Sequence, residues 1–161
     1  MTVSECQTAI KTLLLTDTTY LKPTIDGTPK ECVTIGSYQI LDDGVDYAAV
    51  ILPGKVEDGD PMNFTSEAHW HILIDIFCKY KADAATNWTN FTSFRDTFIT
   101  KLLSYPTLNN VTGVHNVKVM SDEDPGAVFK GKAKETGPVF IIQRMRVVVS
   151  QMVVLNTGEY A

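Results

Sequence analysis

Residues 67–80 read EAHWHILIDIFCKY, and the stretch alternates. Counted by twos, Ala68, Trp70, Ile72, Ile74, Ile76 and Cys78 fall on one side. Glu67, His69, His71, Leu73, Asp75, Phe77 and Lys79 fall on the other. Successive side chains of a strand point to opposite faces, so the first set turns to a core and most of the second toward solvent. The spacing predicts a long strand with one dry face. The wetter face poses a second question, because His69 and His71 share it with Glu67 and Asp75. Neighbours two apart on a strand can ligate one metal ion. His115, the only other histidine, is far off in sequence and need not come near. A small metal-dependent hydrolase using Glu67, His69 and His71 is therefore the distant alternative to a solvated or interface face.

Nothing around this stretch assembles a reaction. The chain contains no H-E-x-x-H or H-x-x-E-H pair, no G-x-S-x-G elbow, no GxGxxG and no Walker A loop. Cys78 falls on the face opposite the histidines, so they cannot serve it as a base without a break in the strand. The three cysteines, Cys6, Cys32 and Cys78, are odd in number and form no CxxC, which points to free, buried thiols in a reducing compartment.

Downstream, DAATNWTNFTSFRDTFITKLLSYP (83–106) has helical period. Trp88, Phe91, Phe94, Phe98 and Leu102 step by three and four, the mark of a helix lying on a sheet. Asp83 or Thr86 can cap its start, and Pro106 follows its end. Trp70, Ile72, Ile74, Trp88, Phe91, Phe94 and Phe98 are the candidate core. Upstream, residues 3–15 carry an apolar stripe of Val3, Cys6, Ala9, Ile10, Leu13 and Leu14 behind a cap at Thr2 or Ser4. Residues 16–30 are rich in turn formers, while 31–41 and 45–54 read as short strands, the second stopped by Pro53 and Gly54. Residues 55–66 read as a polar loop.

The last third holds a strand around 114–120 and then SDEDPGAVFKGKAKETGP (121–138), with three glycines, two prolines and seven charges. Little in it can build a core, so it reads as a long exposed loop, and removing 125–134 is expected to spare the fold. Asp122, Glu123, Asp124, Lys130, Lys132 and Lys134 are its candidate interaction residues, a charged docking arm set against a merely solvated loop. The chain continues with VFIIQRMRVVVSQMVVLN (139–156), apolar on both sides at Val147, Val148 and Val149. Such a strand is central, or its second face meets another protein; Arg144, Arg146 and Val148 are its candidate interface residues.

The expected architecture is one α+β domain over 1–161. It is a largely antiparallel sheet with an N-terminal helix and one long amphipathic helix packed on one face, and exposed loops near 55–66 and 121–138. With 161 residues and 44% hydrophobic composition, the chain can bury a core of its own. No run approaches the roughly 18 apolar residues of a membrane span. The first seventeen residues lack the basic and apolar regions of a signal peptide, so a cytosolic site of synthesis is expected. The four N-x-[ST] sequons, at Asn63, Asn87, Asn90 and Asn110, then carry no glycan meaning. A net charge of −5 disfavours a protein whose task is to grip nucleic acid, but suits a surface past which DNA slides.

This order of elements resembles the tail terminator (tail completion, or head-tail joining) proteins of long-tailed bacteriophages. The likeness lies in the short helix ECQTAIKTLLL, strands ending in YAAVILPG and the long strand HWHILIDIFCKY, which leads into the helix NWTNFTSFRDTFITKLLSYP. The late strand VHNVKVM ahead of a charged loop, and the apolar VFIIQRMRVVVSQ, complete it. It covers most of the chain and is one of layout, without a diagnostic motif. It implies a structural virion protein that forms a homo-oligomeric ring, commonly a hexamer, at the head-proximal end of the tail tube. The ring stops tube polymerisation and presents a surface to the head-tail connector. DNA passes its lumen without specific binding. The resemblance implies no cofactor, no catalytic residue, no metal and no membrane, with synthesis in the host cytoplasm. Connector-side neck proteins and minor tail proteins share enough of the layout to be alternatives, as is a cytosolic module that binds a peptide or protein.

Overall fold

Thr2 stands in extended conformation ahead of the first helix, α1 (Val3–Leu14). Its hydroxyl accepts from the Glu5 amide at 3.2 Å, and the Glu5 carboxylate accepts from the Thr2 amide at 2.6 Å. This reciprocal box satisfies amides that the first turn leaves without partners. In the computed structural model the chain is described over residues 1–37, 45–58, 65–81, 83–121, 123–129 and 138–154. A two-residue hairpin follows α1, formed by β1 (Thr24–Ile25) and β2 (Thr28–Pro29). Asp26 and Gly27 make its turn, with φ of 51° and 79°. Positive φ at both central positions matches the right-handed twist of paired strands, and Asp-Gly adopts it readily.

The main sheet takes in β3 (Val33–Ile35), β4 (Tyr47–Ile51), β5 (Lys55–Asp58) and β6 (Thr65–Lys79). The second helix, α2 (Ala84–Leu103), comes next, capped by the Asp83 side chain on the Thr86 amide at 3.0 Å. Then follow β7 (Val114–Ser121), β8 (Gly126–Phe129) and β9 (Pro138–Val154). The frame is the antiparallel pair β6 and β9, in register from Thr65 opposite Val154 to Lys79 opposite Phe140. Each long strand is flanked by two short ones. The free side of β6 carries β4 and then β5, and the free side of β9 carries β7 and then β8. Among the described residues only β3 pairs in parallel, on β4. The expected α+β class, with a largely antiparallel sheet, an N-terminal helix and one long helix, is the observed one.

The core lies under the helices. Ile72, Ile74 and Ile76 of β6 are fully buried, and Ala68, Trp70 and Cys78 nearly so. Across the register they meet Val149, Val147, Met145 and Ile141 of β9. Onto this surface α1 sets Cys6, Ile10, Leu13 and Leu14, and α2 sets Phe91, Phe94, Phe98 and Leu102. The Phe94 ring sits 5.3 Å from Tyr20 and 5.1 Å from Tyr47. β9 is central between β6 and the β7/β8 edge, which explains the continuous apolar run at Val147–Val149.

Several expectations need correction. Trp88 is 39% exposed, not core. Asn87 takes its turn of the helix inward, accepting from the Lys81 amide at 3.0 Å, and Trp88 only stands edge-on to Phe91 at 6.0 Å. Residues 55–66 are not simply a loop, since β5 pairs with β6 from Lys55 opposite His71 to Asp58 opposite Ala68. Within 121–138, β8 likewise pairs with β9, so deleting 125–134 would remove an edge strand. Backbone pairing to a long neighbour fixes both segments, whatever their side chains. The strand expected over 31–41 is only Val33–Ile35 among the described residues. The face of β6 expected to be wet is dry at one end. Phe77 is buried and meets Phe140 edge-on at 6.1 Å, in a second cluster with Cys32, Val45, Ala48 and Val50.

Candidate functional site

The helices cover one face of the sheet, and the notable polar side chains gather on the other. Register sets them in rows. Asp75 faces Arg144, Leu73 faces Arg146, and His71 lies between Lys55 and Val148. His69 lies between Glu57 and Ser150. The candidate interface residues Arg144, Arg146 and Val148 thus all lie on the helix-free face, each half-buried.

Arg144 is engaged within the chain. Its Nε and Nη2 donate to the two carboxylate oxygens of Asp75 at 2.8 and 3.0 Å, a fork that matches carboxylate geometry. Asp75 is 2% exposed. It was expected nearer solvent, and this pairing is what makes its burial tolerable.

The histidines divide between two carboxylates. His71 Nε2 lies 3.1 Å from Glu57, whereas His69 Nε2 lies 3.8 Å from Glu67 and its Nδ1 3.1 Å from the Ser150 hydroxyl. Glu67, His69 and His71 are therefore not one constellation. His115, far off in sequence, does come near, with its Nε2 3.1 Å from Glu67. A register shift between Val114 and Asn116 marks the place where β7 delivers it. Glu67 so stands between two imidazoles. Among the described residues no three of His, Cys, Asp and Glu are grouped to hold a metal ion. The hydrogen bond and charge of Lys55, with a contribution from His71, hold the Glu57 carboxyl below its ordinary range.

The cysteines offer little chemistry of their own. Burial pushes the Cys6 thiol up to about 12 and the Cys78 thiol to about 11, and Cys32 is also raised. Thiols so placed are protonated at neutral pH and poor nucleophiles.

Among the described residues each long strand's outer side changes partner once, from β4 to β5 along β6 and from β7 to β8 along β9. On the β6 side the break is Leu52–Gly54, between β4 and β5. The Leu52 amide still donates to the Leu73 carbonyl at 2.8 Å, and the Leu52 carbonyl accepts from Gln7 Nε2 of α1 at 2.7 Å. Gly54 then crosses so close to β6 that a β-carbon there would lie 2.1 Å from the His71 carbonyl oxygen. Only glycine fits. Beside the break runs a groove of about 290 Å³ lined by Pro53, Gly54, Lys55, His71, Leu73 and Arg146. On the β9 side the break falls between β7 and β8 and exposes Glu123 and Asp124. The Glu123 amide donates to the Arg144 carbonyl at 3.3 Å, Gln143 Nε2 donates to the Glu123 carbonyl at 3.2 Å, and the Glu123 carboxylate lies 3.9 Å from Arg144. Of the remaining candidate interaction residues, Asp122, Lys130, Lys132 and Lys134 lie outside the described residues.

No helix among the described residues is long and apolar enough to cross a membrane. No protein-family model matches the chain, and no curated protein gives a significant match to it.

Proposed function

We propose that this chain is a structural virion protein of the tail terminator kind. It forms a homo-oligomeric ring at the head-proximal end of a phage tail tube, halts tube growth and presents a surface to the head-tail connector. In this reading DNA passes through the lumen, the chain performs no bond chemistry, and its partners are its own copies, the tube protein and a connector protein. The observation that carries the reading is the helix-free sheet face. A sheet clad by helices on one side leaves Leu73, Arg146 and Val148 half-buried on the other, a mixed apolar and charged surface of the kind that subunit contacts use. The order of elements behind the resemblance supports it. So does the acidic balance of −5, which lets DNA phosphates slide without sticking.

Light scattering of the purified chain, alone and with tail tubes, tests the proposal. A ring mass, or a ring seen on tube ends, is the expected result. A monomer that ignores tubes would sink it. Binding to connectors but not to tubes would instead select a connector-side neck protein.

The placement of His115 beside Glu67 favours one second reading, a metal-dependent hydrolase centred on Glu67 and His69, with His71 drawn off to Glu57. Calorimetric titration with zinc decides it. Absence of heat, with unchanged stability when His69 and His115 are both replaced by Gln, would end that alternative.

A further inference from the structure

The two breaks sit on opposite edges of one sheet and differ in charge. The break beside β5 opens on Lys55 and Arg146, two cations beside one carboxylate among the described residues, Glu57, with the His71 imidazole between them. The break between β7 and β8 presents Glu123 and Asp124. Among the described residues the one cation shown in contact with Glu123, Arg144, is already held in a fork by the buried Asp75. Lys118 belongs to the same edge but lies farther along it, opposite Val148. Glu123, by its contact with Arg144, and the groove, by His71, Leu73 and Arg146, both belong to the helix-free face.

Opposite charges on opposite edges cannot neutralise each other within one molecule. They can do so between two. We propose that the groove at Pro53–Lys55, His71 and Arg146 receives the Glu123–Asp124 corner of a second copy of this chain, so that copies join head to tail. This contact is heterologous, one patch meeting a different patch, and such contacts generate rings when the rotation closes. The inference rests on the ring reading above and names the surfaces that would make it.

Charge reversal tests the contact on the full chain. One variant carries Lys55→Glu with Arg146→Glu, another Glu123→Lys with Asp124→Lys, and a third carries all four. Sedimentation at low salt reads the assembly. Each pair of reversals alone is expected to weaken association by at least roughly tenfold, because like charges then face each other across the contact. An equimolar mixture of the two should reassemble, since each supplies the edge the other has lost. The fourfold variant should also reassemble, which covers rings with an odd number of subunits. Raising the salt should weaken the wild-type assembly.

Where circular dichroism shows that a pair of reversals unfolds the chain, Lys55→Glu and Asp124→Lys alone replace it, both at exposed positions. A wild-type assembly that none of these variants weakens would overturn the break-to-break contact and leave the ring standing. Variants that dissociate but never reassemble when mixed would overturn the pairing of these two edges. A wild type that stays monomeric, alone and with tubes, would overturn the ring reading and this contact together.

Discussion

The two faces of β6 are built by alternate residues of one strand, yet they behave differently. On the helix-covered face every position from Ala68 to Cys78 is buried, and the partners are interchangeable in kind, all apolar. On the open face each position has its own fate. Asp75 is buried by an ion pair, Phe77 by an aromatic neighbour, and His69 and His71 are half-covered by different carboxylates. Burial by a continuous apolar layer is a collective property that period two predicts. Burial by a specific polar partner depends on which residue a distant strand brings opposite.

The sharpest way to break this comparison is to remove an aromatic ring from the covered face. Phe94→Ala should destabilise the fold by about 3–5 kcal/mol in chemical denaturation. Trp88→Ala, six positions earlier on the same helix, should cost below about 1.5 kcal/mol, mainly its edge contact with Phe91. Equal costs would show that the inward turn of α2 is wrongly placed.

A smaller effect probes the open face. Asp75→Asn keeps the shape and removes the charge, leaving Arg144 with Glu123 at 3.9 Å. The expected loss is about 1–3 kcal/mol. It falls short of the figure for a fully buried pair because Arg144 is 32% exposed and solvent screens it. An unchanged denaturation midpoint would mean that the fork adds nothing to stability.

The smallest effect concerns pH. The Glu57 carboxyl is lowered in the folded chain, so its contribution is present above the unfolded carboxylate range and fades as pH falls through the folded value. Glu57→Gln should therefore narrow the stability gap to wild type in acid and leave it widest near neutral pH. A gap that is constant across the titration would show that the charge of Lys55 does not act on this carboxylate.

Much of the frame is written in local pattern. Alternation over 67–78 predicts β6 and its dry face, and the Phe91, Phe94, Phe98 and Leu102 spacing predicts the packed side of α2. Thr2 and Asp83 cap where short polar side chains precede apolar periods. The misses share a physical cause. β5 and β8 are short edge strands held by backbone bonds to a long neighbour, and backbone bonds do not care that Lys55 or Glu57 is charged. Asn87 replaces Trp88 inward because one hydrogen bond to the Lys81 amide makes its burial acceptable. The meeting of His115 with Glu67 depends on a register shift between strands far apart in the chain, and no local signal announces it. Nor does any local pattern show that the sheet is broken on both edges.

The pairing of β6 with β9 also orders events in time. Residues Thr65–Lys79 must wait for Pro138–Val154, with α2 and β7 made in between. Contacts this distant along the chain demand closure of a long loop before they return any stability, which slows folding. During synthesis the free edge of β6 is exposed until β9 leaves the ribosome, and unpaired strand edges are templates for aggregation. The chain's most vulnerable moment is therefore its birth, when half of the sheet exists and its central partner does not.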